Sequence, residues 1–278
     1  MEHWGPERID DIVAHLAVTM PAEDLTADEI LTACYDRPGV VLAEPAGIVA
    51  VGVGRSLDGE LVATVRLLSV SPEDPDVIHR LLTDAEQWAR ERDARRVELG
   101  GALPFFLWPG VEVGSPLLAA AATRGYLEVE GFEAHGVPNS FRAEPPVGIE
   151  IRRAVSDEQV TAVQLAAAAR WPWWSDEIAR ALDHGTCHVA LDPDETVIGV
   201  GCHSITRATW VGPLLVVDTH RRRGIGHALL GAICRDLMIA DFPIAEVPRV
   251  DGEAMEAFVR AAGARPVRAY RRLVLELR

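Results

Sequence analysis

The sequence has 278 residues, of which 49% are hydrophobic and 25% are charged. These values are typical of a globular protein with two domains of modest size or one large domain. All 27 Lys+Arg positions are arginine, which excludes a Walker P-loop, a protein kinase and an enzyme with a Schiff-base lysine. Any bound phosphate must therefore be held by arginine, by backbone N–H groups or by a metal.

The net charge of −15 is concentrated in the first half of the chain. Residues 1–148 contain 11 arginines and 25 acidic residues, whereas residues 149–278 contain 16 and 17. Without a basic face, we expect neither a nucleic-acid partner nor an anionic membrane partner. The acidic surface either attracts cationic substrates or simply keeps the protein in solution.

The cysteines are widely spaced and form no CxxC motif, so we expect buried thiols in a reduced cytoplasm. His184 and His188 lie four residues apart on a predicted turn-to-strand segment, where helical spacing does not apply, and we expect no metal there. The first residues are polar and acidic. No apolar run reaches the roughly 18 to 20 residues of a membrane helix, so we expect a cytoplasmic protein.

In the first half, residues 39–44, 47–54 and 60–70 are predicted strands. Amphipathic spacing predicts a helix over 76–92. A short strand at 95–101, a helix at 115–125 that ends on glycine, and a strand at 126–132 follow. Residues 135–148 contain three prolines and two glycines without a sustained hydrophobic period, so they are the predicted linker.

The second half repeats this order. A strand is predicted at 150–155, then a helix capped by Asp157 and a short acidic helix at 176–182. Strands at 187–191, 196–205 and 209–217 precede a helix that opens at Gly224, and a strand (243–247), a helix (253–263) and a strand (270–277) complete the series. We therefore predict an α+β fold with a mixed sheet, duplicated as domains 1–140 and 149–278.

The segment that carries chemistry is LLVVDTHRRRGIGHALL, residues 214–230. An apolar strand ends near Val217, and R-x-x-G-x-G leads directly into a helix. Glycines allow successive N–H groups to point into one concavity, and the helix N-terminus adds partial positive charge. Neighbouring arginines can fork onto phosphate oxygens, and Gly226 allows a ligand to approach closely. A Rossmann site is excluded because Leu229 occupies the place of the third small residue.

This motif and the order of elements around it resemble the GNAT (GCN5-related) N-acetyltransferase superfamily. The resemblance covers residues 149–278 and implies that acetyl-CoA is the co-substrate and that no metal takes part. It implies that the chain is a tandem-GNAT protein. The pyrophosphate and pantetheine of CoA would contact Val216, Val217, Arg221, Arg222, Arg223, Gly224, Ile225, Gly226, His227 and Ala228.

The resemblance also implies that the motif strand and the next strand splay apart to admit pantetheine, with a backbone N–H polarising the thioester carbonyl. The candidate bases that deprotonate the amine are Glu246 and His203. An outward solvated glutamate and an ordinary strand histidine are the competing interpretations. The family's usual acid, a tyrosine four residues before a helix-ending glycine, is replaced by Val259. Either water or Tyr270 protonates the thiolate, or the domain binds acyl-CoA without efficient catalysis.

Trp171, Trp173 and Trp174 precede two carboxylates and either border the acceptor pocket or cover the core. The first half resembles a degenerate GNAT copy, because Glu73, Asp74 and Asp76 stand where the cradle would be and would repel a pyrophosphate. The apolar run that ends at Trp108 is expected to pack against the other domain.

We therefore expect an N-acetyltransferase that acts on a primary amine of a small molecule or peptide, as a monomer or homodimer. A non-catalytic acyl-CoA-binding module is the alternative. A mycothiol-synthase-like activity is compatible with the length, although no residue specifies it.

Overall fold

A computed structural model describes residues 1–277 except 21–24, 36–37, 57–58, 72–73 and 102–107. The chain divides into two compact units. Unit 1 comprises residues 1–132 and 268–278, and unit 2 comprises residues 133–267. None of the described helices is both long enough and apolar enough to cross a membrane.

The elements of the first half are, in order, β1 (Glu2–Trp4), α1 (Ile9–Thr19), α2 (Ala27–Tyr35), β2 (Gly39–Glu44), β3 (Gly47–Arg55), β4 (Leu61–Val70), α3 (Pro75–Arg90), β5 (Arg96–Leu99), β6 (Val111–Glu112), α4 (Pro116–Thr123) and β7 (Leu127–Pro138). Those of the second half are β8 (Glu150–Arg153), α5 (Asp157–Arg170), α6 (Ser175–Asp183), β9 (Cys187–Leu191), β10 (Val197–His203), β11 (Val211–Val216), α7 (Ile225–Ile239), β12 (Ile244–Val250), α8 (Gly252–Ala261) and β13 (Arg265–Glu276).

Unit 1 is a sheet with helices on both faces. Its strand order is β1-β2-β3-β4-β5-β13-β7, with β4 and β5 parallel. Alternation along β3 sends Val49 and Val51 to the core under α3, and Ile48 and Ala50 to the core under α1 and α2. A strand buried on both faces has a nearly continuous apolar sequence, which accounts for the composition of this segment.

Unit 2 contains an antiparallel sheet of order β11-β10-β9-β8, and β12 pairs separately with residues 133–138 of β7. Helix α7 packs across this sheet, and glycines in β10 make the close approach feasible. A Cβ atom on Gly201 would lie 3.1 Å from the Cβ of Leu229 on α7 and 3.1 Å from Leu214 Cδ1. The face of β10 that carries Gly201 therefore lies directly against α7.

The strands β7 and β13 change the predicted domain limits. Residues 133–138 of β7 belong to unit 2, whereas residues 268–276 of β13 belong to unit 1, where they pair with β5 and β6. The predicted linker thus starts inside a strand, since His135–Pro138 continue β7. Gly136 looks like a turn residue in the sequence, but a Cβ there would lie 3.1 Å from Ile244 Cδ1. It serves close packing in the strand.

Other differences from the sequence prediction are local. Helices α1 and α2 were not predicted. Ser156 caps α5 instead of Asp157, because its hydroxyl accepts the Gln159 N–H while the Gln159 side chain accepts the Ser156 N–H. The four cysteines are buried thiols, as predicted.

Candidate functional site

The strands β11 and β12 meet at one point and then separate. Trp210 and Glu246 form an isolated parallel bridge, and the Glu246 N–H donates to the Thr209 carbonyl oxygen at 2.8 Å. In the described sheets, β11 otherwise pairs with β10, and β12 pairs with β7. The edge of β11 that faces away from β10 is therefore left open beyond Trp210. This is the gap that the resemblance predicted.

A run of backbone N–H groups without backbone partners in the described chain follows the end of β11. A short 3₁₀ turn, Asp218–His220, leads into Arg222 with φ +61° and Gly224 with φ +86°, and α7 begins at the next residue. The first helical hydrogen bond runs from the Ala228 N–H to the Gly224 carbonyl. Within the described chain, no backbone hydrogen bond uses the N–H groups of residues 222–227. Unpaired N–H groups at a helix start form a site for an anion.

Arginine side chains surround this run, and Arg221, Arg222 and Arg223 are exposed. Arg221 turns back toward the strand, since its Nε donates to the Val216 carbonyl at 3.0 Å and its Nη2 lies 3.0 Å from the Asp218 carboxylate. The Arg221 N–H already donates to the Asp218 carbonyl at 3.3 Å, and the Val217 N–H donates to Ile198 at 2.9 Å. The donors available to an anion are therefore those of residues 222–227, which we call the cradle.

The first turn of α7 is held against α8. The imidazole of His227 stacks on Phe258 with ring centroids 4.4 Å apart, and its Nε2 lies 3.0 Å from the Phe258 carbonyl oxygen. A Cβ on Gly226 would lie 3.2 Å from Phe258 Cε2. Gly226 therefore lets the helix start fit beside this ring, in addition to leaving the cradle uncovered.

Glu246 lies at the point where the strands part. Its side chain is buried, with 6% exposure, and Oε1 has no hydrogen-bond partner among the described residues. Buried carboxylates are normally paired or hydrogen-bonded, so an oxygen without a partner is a candidate for interaction with a ligand. Glu246, one of the two candidate bases predicted from the sequence, lies beside the gap.

These features agree with a comparison against protein-family models. Residues 150–247 match the Acetyltransferase (GNAT) family. This part of the chain is a GNAT domain. No curated protein matches.

Solved structures extend the similarity to the whole chain. A GCN5-related N-acetyltransferase from Sphaerobacter thermophilus is 19% identical, with TM-score 0.68 over 100% of this chain and 95% of that one. A tandem GNAT protein from the clavulanic acid biosynthesis pathway is 17% identical, with TM-score 0.71, 99% of this chain and 97% of that one. At these identities the likeness concerns the fold, and it confirms the predicted arrangement of two GNAT-like domains.

A third structure is the GCN5-related glucosamine N-acetyltransferase region of a fungal multi-domain GH3 beta-N-acetylglucosaminidase. It is 18% identical, with TM-score 0.75 over 99% of this chain. This chain spans only 38% of the length of that protein.

The second candidate base, His203, lies in the GNAT domain but is already engaged. Its Nδ1 lies 2.8 Å from Ser204 Oγ, and its Nε2 lies 3.2 Å from Asp236 Oδ2 on α7. Burial lowers the pKa of His203, and the hydrogen bond with Asp236 opposes this shift only in part. Burial would raise the pKa of Asp236, yet hydrogen bonds from His188 and His203 and the charge of Arg153 hold it far below its usual range.

Tyr270, the candidate acid, lies on β13 within unit 1. It is buried, pairs with Glu112 of β6, and packs on Phe132 with ring centroids 5.8 Å apart. It therefore belongs to the compact unit that does not contain the cradle. Val259, at the family's tyrosine position, is fully buried in the core shared by α7 and α8. A side chain at 259 fills space in that core.

The tryptophans of the GNAT domain lie between α5 and α6. Trp171 caps the end of α5, and Pro172–Trp174 form a 3₁₀ turn. Trp173 is 65% exposed, and Trp171 and Trp174 are half-buried. Trp173 does not cover the core, so its surface is available to a ligand.

In unit 1, the corresponding turn between β4 and α3 has an acidic cap. The Asp74 carboxylate accepts the Asp76 N–H at 2.9 Å, which places a negative charge at the helix start, as the prediction of a degenerate copy requires. Glu73 lies outside the described residues. So do residues 102–107 of the apolar run, while Trp108 packs on the core of unit 1.

Proposed function

We propose that the GNAT domain binds acetyl-CoA and transfers its acetyl group to a primary amine of a small molecule or peptide. The observation that carries this proposal is the cradle, where the N–H groups of residues 222–227 are unused by the backbone at the start of α7. These donors, with the exposed Arg222 and Arg223, fit a pyrophosphate without requiring lysine or metal.

The gap between β11 and β12 supplies a place for the pantetheine arm. It begins at the Trp210–Glu246 bridge, and its open strand edge offers backbone groups to an extended ligand. The substrate thioester would lie near that bridge, where a backbone N–H polarises its carbonyl. The amine nitrogen forms a bond to the carbonyl carbon as the carbon–sulfur bond breaks. Glu246 accepts the proton from the incoming ammonium, and water returns one to the thiolate.

A non-catalytic acyl-CoA-binding module is the second candidate. It is favoured by Val259, which is fully buried and has no proton to donate at the position where the family usually has tyrosine. Both candidates require CoA to bind at the cradle, and they differ in turnover.

Calorimetric titration with acetyl-CoA tests the cradle. We expect the wild-type protein to bind one equivalent. Gly226→Asp should weaken binding by at least tenfold, because a carboxylate among the cradle donors repels the pyrophosphate. Gly226→Ala is the matched control for the contact with Phe258 and should have a much smaller effect. Absence of binding, or equal affinity of Gly226→Asp and wild type, would refute the assignment.

Release of the CoA thiol across a panel of amines separates the two functions. The panel should contain an amino sugar, because one structural relative is a glucosamine N-acetyltransferase region, together with polyamines and peptide N-termini. Turnover that depends on one class of amine supports the transferase. Tight binding with no turnover on any amine supports the module.

A further inference from the structure

Three ligand-type side chains converge under α7, away from the cradle. His188 of β9 and His203 of β10 both approach Asp236 of α7, with Nε2–Oδ2 distances of 2.7 Å and 3.2 Å. One possible ligand atom from each residue lies within 4.8 Å of the other two. Both histidines are buried, and the Asp236 side chain is 14% exposed. We call these three residues the His-His-Asp cluster.

The fold assembles this cluster from distant parts of the sequence. His188 lies opposite Gly201 in the antiparallel register of β9 and β10. His203 follows Gly201 by two residues, so it shares the face that packs against α7. Asp236 lies on the sheet side of α7, about three turns after the helix start at Ile225. His184, which lies four residues before His188 and was expected to hold no metal, is exposed and contacts the Ser204 carbonyl at 3.3 Å.

The hydrogen bonds around His203 place a proton on Nδ1. The Ser204 hydroxyl donates its single proton to the Ala208 carbonyl oxygen at 2.5 Å. Its oxygen can then only accept from His203 Nδ1, which lies 2.8 Å away. The Nδ1–H is therefore held by an oxygen, and Nε2, which now bonds to Asp236, would give up its proton to bind an ion. Metal-ligating histidines show this arrangement, in which the far ring nitrogen is anchored by a hydrogen bond.

We propose that His188, His203 and Asp236 bind a divalent transition-metal ion of the zinc class. Two imidazole nitrogens and one carboxylate, drawn from three rigid elements, are ligands that such ions prefer, with a fourth position left for water. Ligand atoms around tetrahedral zinc lie about 3.4 Å apart. The widest separation in the cluster, up to 4.8 Å, would therefore need to close, whereas the 2.7 Å contact between His188 and Asp236 would need to open. This proposal does not rest on acetyl transfer, and it departs from the expectation that the chain uses no metal.

Arg153 competes with the ion. Its guanidinium contacts the Asp236 carboxylate oxygen that faces both histidines, and its side chain is 42% exposed at the outer strand β8. A bound cation would push Arg153 toward solvent, because the ion and the guanidinium on the same carboxylate repel each other. The structure therefore predicts that removing this arginine strengthens metal binding, an effect that a purely structural cluster would not produce.

The test uses untagged full-length protein, stripped with a chelator and titrated with Co²⁺, followed by its visible absorption and by calorimetric competition with Zn²⁺. We expect one equivalent of Co²⁺ per chain. His203→Gln and His188→Gln should each lose at least tenfold in affinity. His184→Gln is the matched control and should bind as the wild type does. Arg153→Gln should bind several-fold more tightly.

Thermal unfolding in chelator establishes that each variant is folded. If Asp236→Asn fails to fold, the histidine variants and Arg153→Gln still decide the question. The proposal is overturned if Co²⁺ does not bind to the wild type, or if both histidine variants bind it with wild-type affinity. Equal losses in His184→Gln and His203→Gln would also overturn it, because the ion would then lie elsewhere.

Discussion

Replacing Glu246 with glutamine should separate activity from stability. The residue is 6% exposed at the bridge where β11 and β12 part, and its N–H donates to Thr209 at 2.8 Å. Glutamine preserves the shape and this backbone bond but cannot accept a proton from an ammonium ion. General-base catalysis contributes about 10²- to 10⁴-fold, equivalent to about 3 to 5 kcal/mol of transition-state stabilisation. We expect the kcat of Glu246→Gln to be lower than that of the wild type by a factor in this range.

The same substitution should not destabilise the fold. Oε1 of Glu246 has no hydrogen-bond partner among the described residues, and leaving a buried polar atom unsatisfied costs about 1 to 3 kcal/mol. Burying an amide costs less free energy than burying a charged carboxylate. The free energy of unfolding of Glu246→Gln should therefore equal or exceed that of the wild type, by about 1 kcal/mol at most.

The assay measures CoA thiol release at saturating acetyl-CoA with the best amine of the panel, alongside urea unfolding. Glu253→Gln, on the exposed first turn of α8, is the matched control and should leave both quantities unchanged. The affinity for acetyl-CoA should also stay the same, because the substitution spares the cradle. A kcat within about threefold of wild type would refute the role of Glu246. So would a loss of activity that merely follows a loss of stability.

Two further predictions concern stability. Val259→Tyr should lower the free energy of unfolding by about 1 to 3 kcal/mol, because the larger side chain overpacks a fully buried site, and it should not raise kcat. Val155→Tyr, at an exposed position, is the control and should leave urea unfolding unchanged. A Val259→Tyr variant with a higher kcat than the wild type would contradict this prediction. Burial lowers the pKa of the half-buried His15 below its ordinary value of about 6.5. At pH values between the lowered folded-state pKa and about 6.5, the unfolded state binds more protons than the folded state, so the free energy of unfolding falls as the pH is lowered. Urea midpoints measured in chelator from about pH 5.5 to 7.5 should show a smaller slope for His15→Gln than for wild type or His184→Gln; an unchanged slope would exclude this contribution.

Local patterns in the sequence predicted much of the fold and the cradle. The strand 187–191 has the predicted bounds, because a short apolar run between turn residues is a local signal. The R-x-x-G-x-G segment likewise predicted the cradle, because the residues that form it are adjacent in the sequence. Helix α2 was missed, although ADEILTACY has acidic residues in its first turn and buried positions at helical spacing. The S-x-x-Q signal of the α5 cap was also present and overlooked.

Features that depend on distant pairings could not be predicted from the sequence. In the His-His-Asp cluster, Asp236 follows His188 by 48 positions and His203 by 33, and strand register and helix packing bring the three together. Glu246 could be suggested as a base from the resemblance and from its isolation among the apolar neighbours of IAEVP, but nothing in that segment indicates that β12 leaves β11 at that residue. The placement of β13 in unit 1 was not predicted either, since its apolar alternation would suit any open sheet edge.

The position of β13 bears on the order in which the two units can fold during synthesis. Residues 133–267, which make up unit 2, are all translated before residues 268–276, which fill the place between β5 and β7 in unit 1. The N-terminal unit therefore emerges from the ribosome first but lacks an interior strand until residues 268–276 have been made. Unit 2 has all its strands earlier, so we expect it to fold first, against the usual N-terminal-first order. Until then the edge of β5 that pairs with β13 is unpaired, and such an edge can pair with strands of other chains.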